Sequence, residues 1–159
     1  NTAFVLAHKL REAMALGNDS VTLSGTVEID GAYFGGHVRP ENRKEDRKDR
    51  RLAANRDADR RVVVVLRQRA GRTLPFVVRR EADGAEIVRE RVAFGTELHA
   101  DEGSHWDELE ATYRAHRINH SQAFSWDGAC TNQAESYFSR LRRAVTGQHH
   151  HVSHQYLYQ

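Results

Sequence analysis

The order of its predicted elements places this sequence in the α/β class, as one mixed sheet with helices on its faces. A predicted N-terminal helix is followed by three β-rich segments, and helical and strand-like segments then alternate toward the end of the chain. Three antiparallel strands followed by alternating helices and strands describe such a sheet. The 159 residues give room for one hydrophobic core, so we expect one domain.

The three leading strands are rich in β-branched and aromatic residues. The first is expected over 26–34, ending at a glycine pair, and the charged stretch after it is expected to form a long loop. The second, over 61–69, has a continuous β-branched run without alternation, which predicts a central strand covered on both faces. A glycine turn leads to the third, over 73–80, where Pro75 removes a ladder donor and favours a sheet edge.

The other elements follow from helical spacing and short apolar runs. We expect an amphipathic helix over 2–16 and, after the third strand, a helix over 83–92, a strand over 96–100, a helix over 104–113, a weak strand over 116–121 and a helix over 131–146. The last helix has the clearest pattern, because its apolar residues recur on one stripe: Ala134, Phe138, Leu141 and Val145. This order of elements is that of an RNase H-like domain.

Composition excludes several classes of protein. The longest apolar run, from Val62 to Leu66, is far shorter than the roughly 20 residues of a membrane span, so we expect a soluble, cytoplasmic protein. The single cysteine, Cys130, cannot form an internal disulfide. The chain starts within a predicted helix and ends without a terminator, which suggests a fragment of a longer protein.

The charge is unevenly distributed along the chain. The net charge is +2, but residues 39–61 carry ten Lys or Arg against six Asp or Glu. Such a segment suits a phosphate partner, and it equally suits a solvated loop or exposed helix. Charge alone leaves both interpretations open.

Three acidic residues lie where chemistry is plausible. Asp30 falls inside the first strand, Asp101 follows a later strand, and Glu135 is in the first turns of the last helix. An acid in an apolar strand is costly to bury without a cation or hydrogen bonds. Each acid also has an ordinary structural role open to it: accepting turn donors, capping a helix, or facing solvent.

Carboxylates from separate elements suit a site for hard divalent cations. Magnesium prefers carboxylate oxygens together with water and substrate phosphate, and two ions about 4 Å apart serve phosphoryl transfer. Within the last helix, polar residues at helical spacing share one face: Asn132, Glu135, Ser139 and Arg142. A basic side chain there could hold a DNA phosphate beside the metal.

Three segments resemble the catalytic domain of bacterial insertion-sequence transposases, specifically the ISXO-like DDE branch. They are VEIDGAYFGG at 27–36, ADE at 100–102 and TNQAESYFSRLRRAVTGQHHHVS at 131–153. The resemblance covers nearly the whole chain. We expect residues 1–20 to form an N-terminal helix that leads into the domain, and the resemblance makes residues 21–159 an RNase H-like DDE catalytic domain. It also implies a transposase that cleaves and joins DNA strands with Mg²⁺ or Mn²⁺, with two ions expected.

The resemblance assigns roles to individual residues. Asp30 and Asp101 would be the first and second metal-binding acids, and we expect Asp30 to contact both ions. Glu135 would be the third acid, although some members use an asparagine at the position of Asn132. Arg142 stands where a lysine is usual in the family. Gly31 replaces an acid that often follows the first aspartate.

DNA is the expected partner, both as transposon ends and as target, bound by a homodimer or higher oligomer. The residues expected to contact it are basic residues of the last helix, histidines after it and basic residues of the 39–61 segment: Arg140, Arg142, Arg143, His149, His150, Lys44, Lys48, Arg50 and Arg51. The end-recognition module of relatives, a zinc ribbon or helix-turn-helix, is not found in this sequence. The spacings of His116, His120, Cys130 and the 149–151 histidine run do not predict a structural zinc site.

Two other functions share these features. One is a DNA-binding remnant that keeps the fold and has lost catalysis. The other is an RNase H-like metal-dependent nuclease, which would hydrolyse DNA without joining ends.

Overall fold

The computed structural model describes residues 2–18, 20–36, 39–49, 52–55, 57–119, 125 and 130–158. Five strands form one sheet: β1 (Thr26–Phe34), β2 (Arg61–Gln68), β3 (Thr73–Val78), β4 (Glu97–Asp101) and β5 (Arg114–Ile118). Their order across the sheet is β3-β2-β1-β4-β5. The β1, β2 and β3 strands pair antiparallel, whereas β4 pairs parallel with both β1 and β5. The predicted mixed α/β sheet of RNase H-like type is therefore confirmed.

The α-helices of the described chain are α1 (Thr2–Ala15), α2 (Gly84–Arg91) and α3 (Asn132–Ala144). A π-helical turn, Val145–His149, continues α3. The helix predicted over 104–113 is instead a short 3-10 helix, Ser104–Leu109. Its two buried residues, Trp106 and Leu109, are three apart, and three residues per turn places both on the side that faces the core.

The α1 helix forms as predicted, but its apolar side chains are exposed. Phe4, Leu6 and Leu10 are each more than half exposed to solvent. Helical periodicity identifies an apolar stripe and carries no information about which surface covers it. None of the helices in the described ranges is long and apolar enough to cross a membrane.

The sheet separates two hydrophobic clusters, and β2 contributes to both. Val62, Val64 and Leu66 pack on the face that carries α2 and Trp106, whereas Val63 and Val65 pack on the face that carries α3. This confirms that β2 is covered on both faces. It is an internal strand, but the middle position belongs to β1, and β3 with its Pro75 forms one edge.

The parallel pairing of β1 with β4 positions the predicted acids. Glu28 is the register partner of His99, and continuing that register by two residues brings Asp30 beside Asp101. Because side chains alternate along a strand, Glu28 and Asp30 lie on the same face of the sheet. That face also carries α3, whose Phe138 packs into the smaller cluster.

Candidate active site

Asp30 is a largely buried carboxylate at the centre of the sheet. The pKa of Asp30 is raised to about 7, mainly by burial and also by the nearby charges of Asp101, Glu135 and Glu81. A hydrogen bond of 2.7 Å from the Gly31 N–H to Oδ1 opposes this increase. Burial outweighs this hydrogen bond, so a nearby cation would stabilise the charged form of Asp30.

Asp101 ends β4, and a short turn holds its carboxylate. The Gly103 N–H donates to Asp101 Oδ1 at 3.1 Å. Arg117 of β5 fixes the same turn, because its guanidinium donates to the carbonyl oxygens of Asp101 at 2.7 Å and Gly103 at 2.6 Å. The second predicted acid is therefore held by hydrogen bonds to both its side chain and its backbone.

Glu135 enters the site from the first turn of α3. The Thr131 hydroxyl lies 3.5 Å from Glu135 Oε1, and the charge of Glu135 contributes to the raised pKa of Asp30. The three acids predicted from sequence thus come from β1, β4 and α3, and Asp101 and Glu135 both lie close enough to Asp30 to raise its pKa.

Glu28 fixes the start of α3, a role that the sequence analysis did not identify. Its side chain is 1% exposed, and Oε2 accepts hydrogen bonds from the N–H groups of Gln133 at 2.8 Å and Ala134 at 3.1 Å. Its Oε1 accepts from Arg69 Nε at 2.9 Å. Glu28 therefore supplies the helix cap that a local side chain ordinarily provides. The signal in the sequence was a second acid in β1, spaced two residues from Asp30.

Glu81 is a fourth carboxylate at the site and was also missed. It lies in a 3-10 turn after β3, and its carboxylate occupies the space that a Cβ on residue 31 would need. Burial raises the pKa of Glu81, His105 lowers it and Asp101 raises it. Glu81 Oε1 is 3.7 Å from His105 Nε2. Gly31 is therefore the residue that lets this acid approach Asp30.

These four carboxylates fit a divalent-cation site by their chemistry. Like charges beside a buried acid leave an uncompensated negative charge, which hard cations with oxygen ligands relieve. The four acids are not tightly clustered. Within the described ranges, a different group of three metal-ligating side chains has all its ligand atoms within 4.8 Å of one another: Glu97, His99 and His116.

Asn132 and Glu135 face different surroundings. The exposed Asn132 lines a groove beside α3 with residues of β2, β3, the turn between them and the helix: Arg67, Ala70, Thr73, Gln133, Ser136, Tyr137 and Arg140. Glu135, one turn later, is the residue of the two that influences the pKa of Asp30.

The residues predicted to contact DNA are mostly exposed. Arg140, Arg142 and Arg143 lie on the solvent side of α3, and the Arg142 guanidinium sits 5.8 Å from the Phe138 ring centre. His149 and His150 are exposed after the helix, and Lys44 and Lys48 are exposed in a segment of turns and bends. Arg50 and Arg51 lie outside the described residues.

A mixed sheet of this order, with acids on its two neighbouring parallel strands and on its last helix, defines the class of RNase H-like proteins. Within that class, the family model described as ISXO2-like transposase domain matches residues 22–159. The chain therefore belongs to the ISXO2-like transposase domain family, which confirms the resemblance seen in its sequence. Comparisons with curated proteins and with solved structures found no match.

Proposed function

We propose that this chain is the catalytic domain of a DDE transposase that cleaves DNA at the end of an insertion sequence and joins the 3′-hydroxyl to target DNA. The observation that supports this most directly is the approach of Asp101 and Glu135 to the buried Asp30, from three separate elements. Family membership supports the reaction type. When bound, Mg²⁺ or Mn²⁺ ions supply activation of the attacking oxygen and stabilisation of the leaving one.

Asp30, Asp101 and Glu135 would hold the ions. Asp30 is fixed by the Gly31 N–H and Asp101 by the Gly103 N–H, so both carboxylates are oriented before any ion binds. Preorganised ligands of this kind keep a reacting phosphate in one geometry. The exposed arginines of α3 would hold the DNA backbone beside the acids, and contacts to phosphates position DNA without reading its sequence. A homodimer or higher oligomer would pair two transposon ends.

The test uses the full chain with supercoiled plasmid DNA for cleavage and a 3′-hydroxyl oligonucleotide for joining, each with Mg²⁺ or Mn²⁺. We expect both activities in the wild type and their loss in Asp30→Asn and Asp101→Asn. Glu102→Gln is the matched control, because Glu102 is an exposed acid next to Asp101, and it should retain both activities.

The outcomes separate the alternatives. Cleavage without joining would identify a nuclease of the same fold. DNA binding without either activity would identify an inactive remnant. Wild-type activity in Asp30→Asn would show that the assigned site is wrong.

A further inference from the structure

A second cluster of metal-ligating side chains lies away from the acids of the candidate active site. Glu97 begins β4 and Asp101 ends it, so the two are about 13 Å apart along the strand. Glu97 Oε1 is 3.0 Å from His116 Nε2 of β5 and 3.6 Å from His99 Nε2 of β4. All three ligand atoms lie within 4.8 Å of one another. His99 and His116 are register partners on the two strands.

The buried imidazole of His99 lacks a partner on the side that faces this cluster. The His99 side chain is 1% exposed, and its Nε2 has no hydrogen-bond partner. Glu97 Oε1, at 3.6 Å, is too far to accept a good hydrogen bond. Buried polar atoms are nearly always satisfied, so an orphaned nitrogen aimed at a carboxylate and a second imidazole indicates a missing ligand.

We propose that Glu97, His99 and His116 bind one zinc-class transition-metal ion, at a structural site distinct from the DDE acids. Zinc bonds of 2.0 to 2.2 Å to nitrogen and oxygen place tetrahedral ligand atoms about 3.4 Å apart. The separations of 3.0 and 3.6 Å from Glu97 bracket that value. Imidazole suits zinc and its neighbours, whereas magnesium prefers oxygen ligands alone.

Residues around the cluster orient its ligands. Thr26 Oγ1 donates to Glu97 Oε2 at 3.1 Å and leaves Oε1 for the ion. The rings of His99 and His116 are stacked, with centroids 4.9 Å apart, so the partly exposed His116 ring would have to turn to aim its Nε2 lone pair at an ion shared with the buried His99. The positive charge of Arg69 lowers the pKa of His99. Arg69 also forms an ion pair with Glu28 at 2.9 Å.

Metal binding would change the tautomer of His99. The Cys130 N–H donates to His99 Nδ1 at 3.3 Å, so the neutral ring carries its proton on Nε2. Coordination through Nε2 moves that proton to Nδ1, where it would face the Cys130 N–H, so the Cys130 backbone must turn away from the ring when the ion binds. The hydrogen bond that is given up is longer than the usual range for N–H donors. The ion would then link β4 to the five-residue edge strand β5.

The test is a titration of the metal-free full chain with Co²⁺, a spectroscopic substitute for Zn²⁺. With excess Mg²⁺ present to fill the acids of the candidate active site, we expect one equivalent of Co²⁺ to bind with tetrahedral d–d absorption. Zn²⁺ should displace this Co²⁺ and raise the Tm. His116→Gln and Glu97→Gln should each abolish the absorption. Both side chains are more than a third exposed, so these variants should fold, which circular dichroism checks.

Two controls exclude other metal sites. His150→Gln removes an exposed histidine of the C-terminal run, and Asp101→Asn removes an acid of the candidate active site; both should keep the cobalt spectrum. Loss of the spectrum in either control but not in His116→Gln would place the ion elsewhere and overturn the proposal. Absence of stoichiometric binding in the wild type would also overturn it and leave a hydrogen-bonded Glu–His pair.

Discussion

The raised pKa of Asp30 predicts a pH-dependent stability for the metal-free protein. The folded pKa is about 7 against 3.8 as the reference value, so the folded state retains a proton that the unfolded state releases. The associated stability is full below about pH 4 and is lost as the pH rises to 7. Between pH 5 and pH 8 the loss is about 2 to 3 kcal/mol.

Asp30→Asn should remove this pH dependence and make the metal-free protein more stable than the wild type at pH 8, because the amide has no charge to bury. Urea denaturation at pH 5 and pH 8 measures how much the free energy of unfolding of each protein changes with pH. Equal stability differences between variant and wild type at both pH values would contradict the prediction.

The third acid gives a second prediction at the scale of single residues. A carboxylate adds a full charge near divalent cations, whereas an amide offers a neutral oxygen, and Glu135 is the one that influences Asp30. Glu135→Gln should therefore reduce metal-dependent cleavage at least tenfold and more than Asn132→Ala does. Initial rates at saturating Mn²⁺ compare the two, and the reverse order would make Asn132 the third ligand.

At the scale of elements, the attachment of α3 to β1 depends on Glu28. Glu28→Gln should cost about 2 kcal/mol of stability, because a charged acceptor of two helix N–H groups and one guanidinium becomes a neutral amide. Cleavage should also fall, since α3 carries Glu135. Chemical denaturation and cleavage rates measure the two effects.

Arg69→Met separates the helix-capping role of Glu28 from its ion pair with Arg69. Arg69→Met removes the guanidinium and leaves both helix N–H bonds, so its cleavage rate should stay closer to the wild type than that of Glu28→Gln. Glu90→Gln replaces an exposed acid of α2 and should change neither the stability nor the cleavage rate. Equal loss of cleavage in Arg69→Met and Glu28→Gln would indicate that the cap does not position α3.

The elements themselves were largely predictable because their signals are local. The β-branched run of β2 and the glycines that follow β1 set strand bounds to within a residue or so. Asp30 and Asp101 stood out because acids rarely interrupt or end apolar strands. Glu28 accepts a hydrogen bond from Gln133, which is 105 residues later in the chain, and Glu81 lies near Asp30 in the space left by Gly31. Neither contact produces a periodic pattern in the sequence. His99 and His116 became neighbours only through the parallel register of β4 and β5.

At the scale of the whole molecule, the basic residues of α3 lie on the face opposite α2. DNA affinity that depends on phosphate contacts falls with salt, with a logarithmic slope of about 0.9 per contact. Arg142→Ala should lower that slope by about 0.9, the contribution of one phosphate contact, and should weaken the binding of all DNA sequences alike. Arg89→Ala is the control on α2, where Arg89 pairs with Glu108 at 2.9 Å. Fluorescence anisotropy across a salt series measures both, and an unchanged slope in Arg142→Ala would place the DNA elsewhere.

The contact between Glu81 and Gly31 makes these two positions interdependent in evolution. The space above residue 31 holds one acidic group, and in this chain it comes from the turn after β3 rather than from the strand. A side chain at position 31 would push the Glu81 carboxylate aside, and because that carboxylate is the far end of a flexible side chain, the backbone need not move. Substitutions at the two sites should therefore be coupled through the acidic group beside Asp30, with an acid at position 31 making the one at position 81 dispensable.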